Sequence, residues 1–226
     1  MSASGRGLPS WLERPVACVA VCALSPVLLF CAIAVRLSSP GPVLFRQERV
    51  GQGGRLFRLL KFRSMRVNAG GAQVTAKGDA RVTGVGRFLR KTKLDELPEL
   101  WNVVRGELSL VGPRAEVPKY VDLEDPLWNR VLQAKPGITD PVTLRLRNEE
   151  ELIAAAGGDP EAFYREILQP LKVEGYIRYL DRRTFWGDVQ VLARTVFAVF
   201  IPSKAPPPSL EELQKGAEEL FFSAGR

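Results

Sequence analysis

The feature that most constrains this chain is an uncharged stretch of 21 residues, Pro15 to Val35, fenced by Arg14 and Arg36. As one continuous helix it would reach about 31 Å, close to the roughly 30 Å hydrocarbon core of a bilayer. Pro26, preceded by Ser25, falls at its middle, where it removes a backbone donor and presses its ring on the preceding turn. Each half then reaches only about 15 Å. Three readings are open. The segment is a kinked transmembrane span, a re-entrant helix that enters and leaves by one face, or a secretory signal. In the re-entrant form the Ser25 hydroxyl is available to a freed carbonyl, and in the signal form Ala32-Ile33-Ala34 supplies a cleavage pattern. The charge immediately downstream opposes the signal. Arg36, Arg46, Arg49, Arg55, Arg58, Lys61, Arg63 and Arg66 come directly after the segment, and such density keeps a chain on the cytoplasmic side.

Cys18, Cys22 and Cys31 all lie inside this apolar run, an odd and clustered set that suits packing rather than disulfides or metal binding. The chain has no histidine. That excludes Ser-His-Asp and Cys-His nucleophiles and histidine-containing zinc sites, and leaves carboxylates, Lys, Arg, hydroxyls or an oxygen-held metal. The net charge of +7 is uneven, because residues 36 to 93 carry 14 basic groups against Glu48 and Asp79. An anionic partner is implied. Nucleic acid is disfavoured, since the basic block adjoins an apolar anchor and is interrupted by Leu59, Leu60 and Phe62 rather than by an exposed aromatic platform.

Residues 42 to 64 read as two strands joined by Gly51-Gln52-Gly53-Gly54, whose spacing is that of a turn and not of a phosphate loop. Residues 67 to 80 have the composition of an exposed loop, and helices are expected from near Gly86 and over 97 to 105. A short strand run at 107 to 111 leads into Gly112-Pro113-Arg114. Helical patterns follow at 149 to 156 and 160 to 168, and 184 to 200 suits either an interfacial helix or an ordinary core helix. Pro202 and Pro206-Pro207-Pro208 interrupt structure before a capping box, Ser209 with Glu212.

The stretch Thr92 to Glu99, TKLDELPE, is the most informative. Its plain reading is an acidic helix start. The sharper one notes that Asp95 and Glu96 follow Arg87, Arg90, Lys91 and Lys93, a setting for carboxylate attack on phosphorus, with metal and cations managing charge. The strings KFRSM (Lys61 to Met65), DARVTGVGRFLRKTKLDELPELWNVVRGELSLVGPR (Asp79 to Arg114) and KPGIT (Lys135 to Thr139) closely resemble the bacterial sugar transferases of the monotopic phosphoglycosyl transferase family. The resemblance runs from about Pro15 to Phe200.

The resemblance implies transfer of a sugar 1-phosphate from a UDP-sugar to polyprenyl (undecaprenyl) phosphate with release of UMP, at the inner membrane of a bacterium, facing the cytoplasm. It makes Asp95 the covalent nucleophile and Glu96 its acid/base or metal-binding partner, with Mg²⁺ held at Asp95 and Glu96. Lys61, Arg63, Arg90 and Arg114 become contacts for substrate phosphate or nucleotide. Ser25-Pro26 matches the family's broken membrane helix, which favours the re-entrant form. The expected fold is mixed α/β and mostly helical: a tail at 1–14, the re-entrant helix at 15–36 among membrane phospholipid, a catalytic domain at 37–201 with a β-hairpin and interfacial amphipathic helices, and a Pro-rich linker with a polar helix at 202–226. Two departures stand out. Ala115 follows Gly-Pro-Arg where the family has proline, implying a less rigid loop, and Asp140-Pro141-Val142-Thr143 plus an insertion around 149 to 169 alter the region expected to shape sugar recognition. A lipid-binding scaffold and a Mg²⁺-dependent phosphatase are the alternatives.

Overall fold

A computed structural model describes residues 7–67, 74–200 and 208–213. The apolar segment forms two helices, α1 (Ser10–Ala23) and α2 (Ser25–Ser38), bent by 63°. No single described helix is long and apolar enough to cross a membrane. Pro26 cannot offer an N–H to the carbonyl of Cys22, and the Ser25 hydroxyl donates to that oxygen instead at 2.8 Å. α1 begins at Ser10, ahead of the apolar boundary, because its polar residues find partners on the rest of the chain. Glu13 is buried and accepts the Leu110 N–H at 2.8 Å, while Arg14 Nε donates to the Val104 carbonyl at 2.9 Å.

The chain then makes the expected hairpin, β1 (Leu44–Val50) and β2 (Leu56–Phe62), antiparallel with Leu44 opposite Phe62 and Val50 opposite Leu56. Gly53 and Gly54 take positive φ in its turn, a conformation that glycine adopts without cost. Next come α3 (Gly84–Thr92), α4 (Glu99–Arg105), β3 (Ser109–Val111), α5 (Pro126–Leu132), β4 (Gly137–Thr139), α6 (Pro141–Arg145), α7 (Glu149–Ala156) and α8 (Pro160–Phe163). A π-helical turn, Tyr164–Leu168, leads into α9 (Gln169–Arg182); α10 (Phe185–Phe200) and α11 (Leu210–Leu213) follow. The fold is mostly helical with two small sheets. In the second, β3 and β4 run parallel, Ser109 opposite Gly137 and Val111 opposite Thr139. The approach is close enough that a Cβ on Gly137 would lie 2.1 Å from the Gly112 nitrogen, which explains the glycine in KPGIT.

Three apolar clusters organise these elements. Trp128, Leu168 and Tyr176 centre one around α5 and α9. A second joins Ala17 of α1 to Val103 of α4 and Val111 of β3. The third packs Cys31 and Val35 of α2 against Phe62 and Leu89, so one cysteine serves as a core residue while Cys18 and Cys22 are exposed. The base of α1 is also stapled by charge. Asp188 of α10, fully buried, accepts from the Leu8 N–H, Tyr179 Oη and Arg183 Nε at 2.7 to 3.0 Å. The outward faces of α1 and α2 expose Trp11, Leu29, Phe30 and Leu37, and α10 exposes Trp186, Val196 and Phe197. Most of the 202–226 linker lies outside the described residues, but Ser209 and Glu212 form the expected reciprocal cap at 2.7 and 3.2 Å.

Candidate active site

The turn between α3 and α4 carries the acidic pair. α3 is pinned where it starts: Thr83 caps it by accepting the Gly86 N–H at 2.9 Å, and the Thr83 N–H donates to the Ser64 carbonyl at 3.0 Å. A Cβ on Gly86 would lie 1.9 Å from that same carbonyl oxygen. The KFRSM strand end and the start of α3 can therefore touch only through glycine. α3 stops at Lys93, the one non-glycine residue with positive φ among the described residues, at φ 57°. This left-handed residue turns the chain into a 3₁₀ turn, Leu94–Glu96, before α4 resumes. α4 is sewn to the hairpin by Asn102, fully buried, which accepts from the Leu60 N–H at 3.0 Å and donates to the Arg58 carbonyl at 2.8 Å.

Asp95 is 7% exposed, and its Oδ1 is buried without a hydrogen-bond partner. Burial first, and the neighbouring Glu96 charge second, push its carboxyl above the ordinary range, against the pull of Lys61, Lys93 and Arg90. Glu96 behaves oppositely. Burial would raise it, but Arg114, Lys61 and Lys93 together hold it well below the usual carboxylate range. Its Oε1 accepts from Lys61 Nζ at 2.8 Å and from Arg114 Nη2 at 2.5 Å. The two adjacent carboxylates are thus pushed apart in acidity, the pattern of paired groups with divided roles.

Lys61 and Arg114, expected at the substrate, here converge on Glu96. Lys61 also stands 3.2 Å from Oε1 of Glu99, an ion pair whose geometry is not that of a hydrogen bond. Glu99 is 2% exposed and raised by burial, and it is a member of the site that sequence reasoning passed over. Its spacing of three from Glu96 was the available signal. Arg90 pairs with Glu150 of α7, and its Nη1 lies 3.4 Å from Ser64 Oγ. Arg63 is placed differently from the phosphate contact expected of it. It is 5% exposed, and its guanidinium donates to the carbonyls of Val35, Ser39 and Pro40 at 2.6 to 3.3 Å, capping the end of α2. Cations at a helix C-terminus satisfy carbonyls that have no partner within the helix.

The loop after Arg114 is held firmly despite Ala115. Arg49 Nη1 donates to the Ala115 carbonyl at 2.7 Å, the Val50 N–H donates to the Glu116 carbonyl at 2.8 Å, and the buried Glu116 carboxylate receives Tyr164 Oη at 2.6 Å and Lys172 Nζ at 3.2 Å. In the absence of the proline, a buried ionic network anchors this loop. Among the described residues no group of three or more histidine, cysteine or acidic side chains converges as a metal cluster. One carboxylate oxygen, Asp95 Oδ1, is nevertheless buried without a donor, as an open ligand for a hard cation would be.

The chain is 37% identical over 191 residues to a Caulobacter vibrioides protein named UDP-glucose:undecaprenyl-phosphate glucose-1-phosphate transferase, covering 82% of this chain and 67% of that one. It is 39% identical to an Escherichia coli protein of the same name, across 80% of this chain and 38% of the relative. An Aeromonas hydrophila protein named UDP-N-acetylgalactosamine-undecaprenyl-phosphate N-acetylgalactosaminephosphotransferase is 36% identical across 80% of this chain and 40% of its own. The chain thus spans about two fifths of the latter two relatives. A family model described as bacterial sugar transferase matches residues 6–202, which takes in the bent helix pair, the hairpin, the acidic turn and the glycine contact between β3 and β4. The chain belongs to the bacterial sugar transferase family.

Proposed function

We propose that this protein moves a sugar 1-phosphate from a UDP-sugar to undecaprenyl phosphate, releasing UMP, as a membrane step of glycan assembly. The observation that carries the reading is Asp95 Oδ1: a buried carboxylate oxygen with no partner, in a turn ringed by Lys61, Lys93 and Arg90. Such an oxygen is poorly solvated and close to the charges that would hold a diphosphate. In this reading Asp95 Oδ1 attacks the β-phosphorus of the UDP-sugar. The bond from that phosphorus to the α–β bridging oxygen breaks, and UMP leaves with the electron pair. An oxygen of the lipid phosphate then attacks the same phosphorus and expels the Asp95 carboxylate. Glu96, kept ionised by Arg114 and Lys61, orders those cations beside the nucleophile.

The site suits Mg²⁺, which Asp95 would hold with its acidic neighbours Glu96 and Glu99, whose Oε1 atoms both face Lys61. Bound there, the ion would neutralise developing phosphate charge. The 63° bend, the Ser25 bond to Cys22 and the exposed apolar faces of α1, α2 and α10 support a re-entrant hairpin whose two ends share the cytoplasmic face. That placement brings a soluble nucleotide sugar and a lipid phosphate to one nucleophile. Solubilised protein given Mg²⁺, undecaprenyl phosphate and a panel of UDP-sugars, starting with UDP-glucose and UDP-N-acetylgalactosamine, should release UMP. Asp95→Asn should abolish the release, and full activity in that variant would sink the nucleophile assignment. For topology, a cysteine at Ser4 in a version without the native three should resist an impermeant reagent applied outside intact cells. Labelling from outside would contradict the hairpin.

A further inference from the structure

α7 opens with three consecutive glutamates, and each is bound to a cation on a different element. Glu149 meets Lys172 of α9 at 3.1 Å, and Glu151 meets Lys77 at 3.1 Å. Glu150 takes Arg90 of α3: Nε donates to its Oε1 at 2.9 Å, and Nη2 donates to the same oxygen. The backbone joins in, with the Lys77 N–H donating to the Glu150 carbonyl at 3.0 Å. Arg90 lies in the last turn of α3, five positions before Asp95. Its side chain is 22% exposed, whereas that of Glu150 is 41% exposed, so an anion arriving from solvent meets the carboxylate at the edge of the pair. All the contact falls on one Glu150 oxygen, which leaves the guanidinium without the two-oxygen partner that its fork fits best.

We propose that Glu150 is a resident counter-ion of Arg90 that the diphosphate of the donor displaces, making the first turn of α7 a determinant of donor affinity. This rests on the nucleotide-sugar reading above. A diphosphate presents paired anionic oxygens to Arg90 and carries more charge than one carboxylate, while a partly exposed ion pair is weak enough to exchange. Once Glu150 is displaced, the start of α7 keeps its ion pairs to Lys172 and to Lys77 and loses its tie to α3. The first turn of α7 would therefore respond to an occupied donor site.

The test is a split of KM from kcat for the UDP-sugar in the full-length protein. Glu150→Gln, which removes the competing charge and keeps the shape, should lower KM by about threefold to fivefold with a smaller effect on kcat. In an Arg90→Gln background the same substitution should leave KM unmoved, since the two act on one contact. An independent reading comes from hydrogen exchange in the wild type: UDP should raise exchange over residues 149–156, and should not do so in Glu150→Gln. A KM that is unchanged or higher in Glu150→Gln overturns the proposal, as does UDP that leaves or lowers wild-type exchange there. If no UDP-sugar yields UMP with the wild type, the donor reading itself fails. UMP release with an unmoved KM fails only the role given to Glu150.

Discussion

Replacing Lys61 by Met tests the electrostatics of the site without touching the proposed nucleophile. Lys61 Nζ lies 2.8 Å from Glu96 Oε1 and 3.2 Å from Glu99 Oε1, and all three side chains are largely shielded from water. Methionine keeps most of the apolar stem and deletes the charge. Arg114 is then left as the cation in direct contact with Glu96. An opposite charge at this range moves a carboxyl group by about 1 to 3 pKa units, worth about 1.4 to 4 kcal/mol. Glu96 is depressed in the folded state, so its contribution is present above its unfolded pKa and lost as pH falls through the folded value. The variant forfeits part of that contribution. Glu99 is already raised and rises further, so its bound proton favours the folded variant at low pH, and that benefit disappears as pH climbs from the unfolded value through the folded one. Both effects widen the gap between wild type and variant as pH rises. Guanidinium unfolding in detergent, followed by tryptophan fluorescence, should place Lys61→Met about 1.4 to 4 kcal/mol below wild type at pH 8, with a clearly smaller deficit at about pH 3, below the unfolded carboxylate range. Equal deficits at the two pH values would refute this reasoning and leave Lys61 as a packing residue.

Asp95→Asn should be inactive yet more stable by about 1 kcal/mol at pH 8, because a carboxyl raised by burial costs stability above its unfolded pKa; the gain should fade near pH 4 in thermal unfolding. Gly86→Ala drives a Cβ to within 1.9 Å of the Ser64 carbonyl oxygen, and it should cost about 3 kcal/mol or more and lower the yield of folded protein. Normal stability in that variant would mean that α3 does not sit so close to the strand end. Replacing both Ser25 and Pro26 by Ala restores a backbone donor to the Cys22 carbonyl and removes the side chain that substitutes for it. The straightened helix should now cross, so a cysteine at Ser4 becomes open to the external reagent; continued protection would locate the cause of the bend elsewhere.

What could be read from the sequence is local. Gly51 to Gly54 punctuates the hairpin, Ser209 and Glu212 announce their own cap, and Ser25-Pro26 marks the break between α1 and α2. The Asp95-Glu96 pair was legible because acidic residues after a run of cations are conspicuous. The missing parts depend on residues that meet across the chain. α9 went unassigned because Gly175 interrupts a helix whose Lys172 looks like a surface charge until Glu116 and Glu149 are brought to it. β4 is three residues long and is recognisable only beside β3. Arg63 shares a motif with Lys61, yet the two part company in space, one reaching the acidic turn and the other the end of α2.

The bend at Leu24 also has a mechanical side. α1 is held by α4 and β3, while α2 is held by α3. The short turn that joins α3 to α4 carries Asp95. Two levers meet at Leu24, and each packs on one of the helices flanking the nucleophile, so a change in the angle between them would be felt at the turn that carries Asp95.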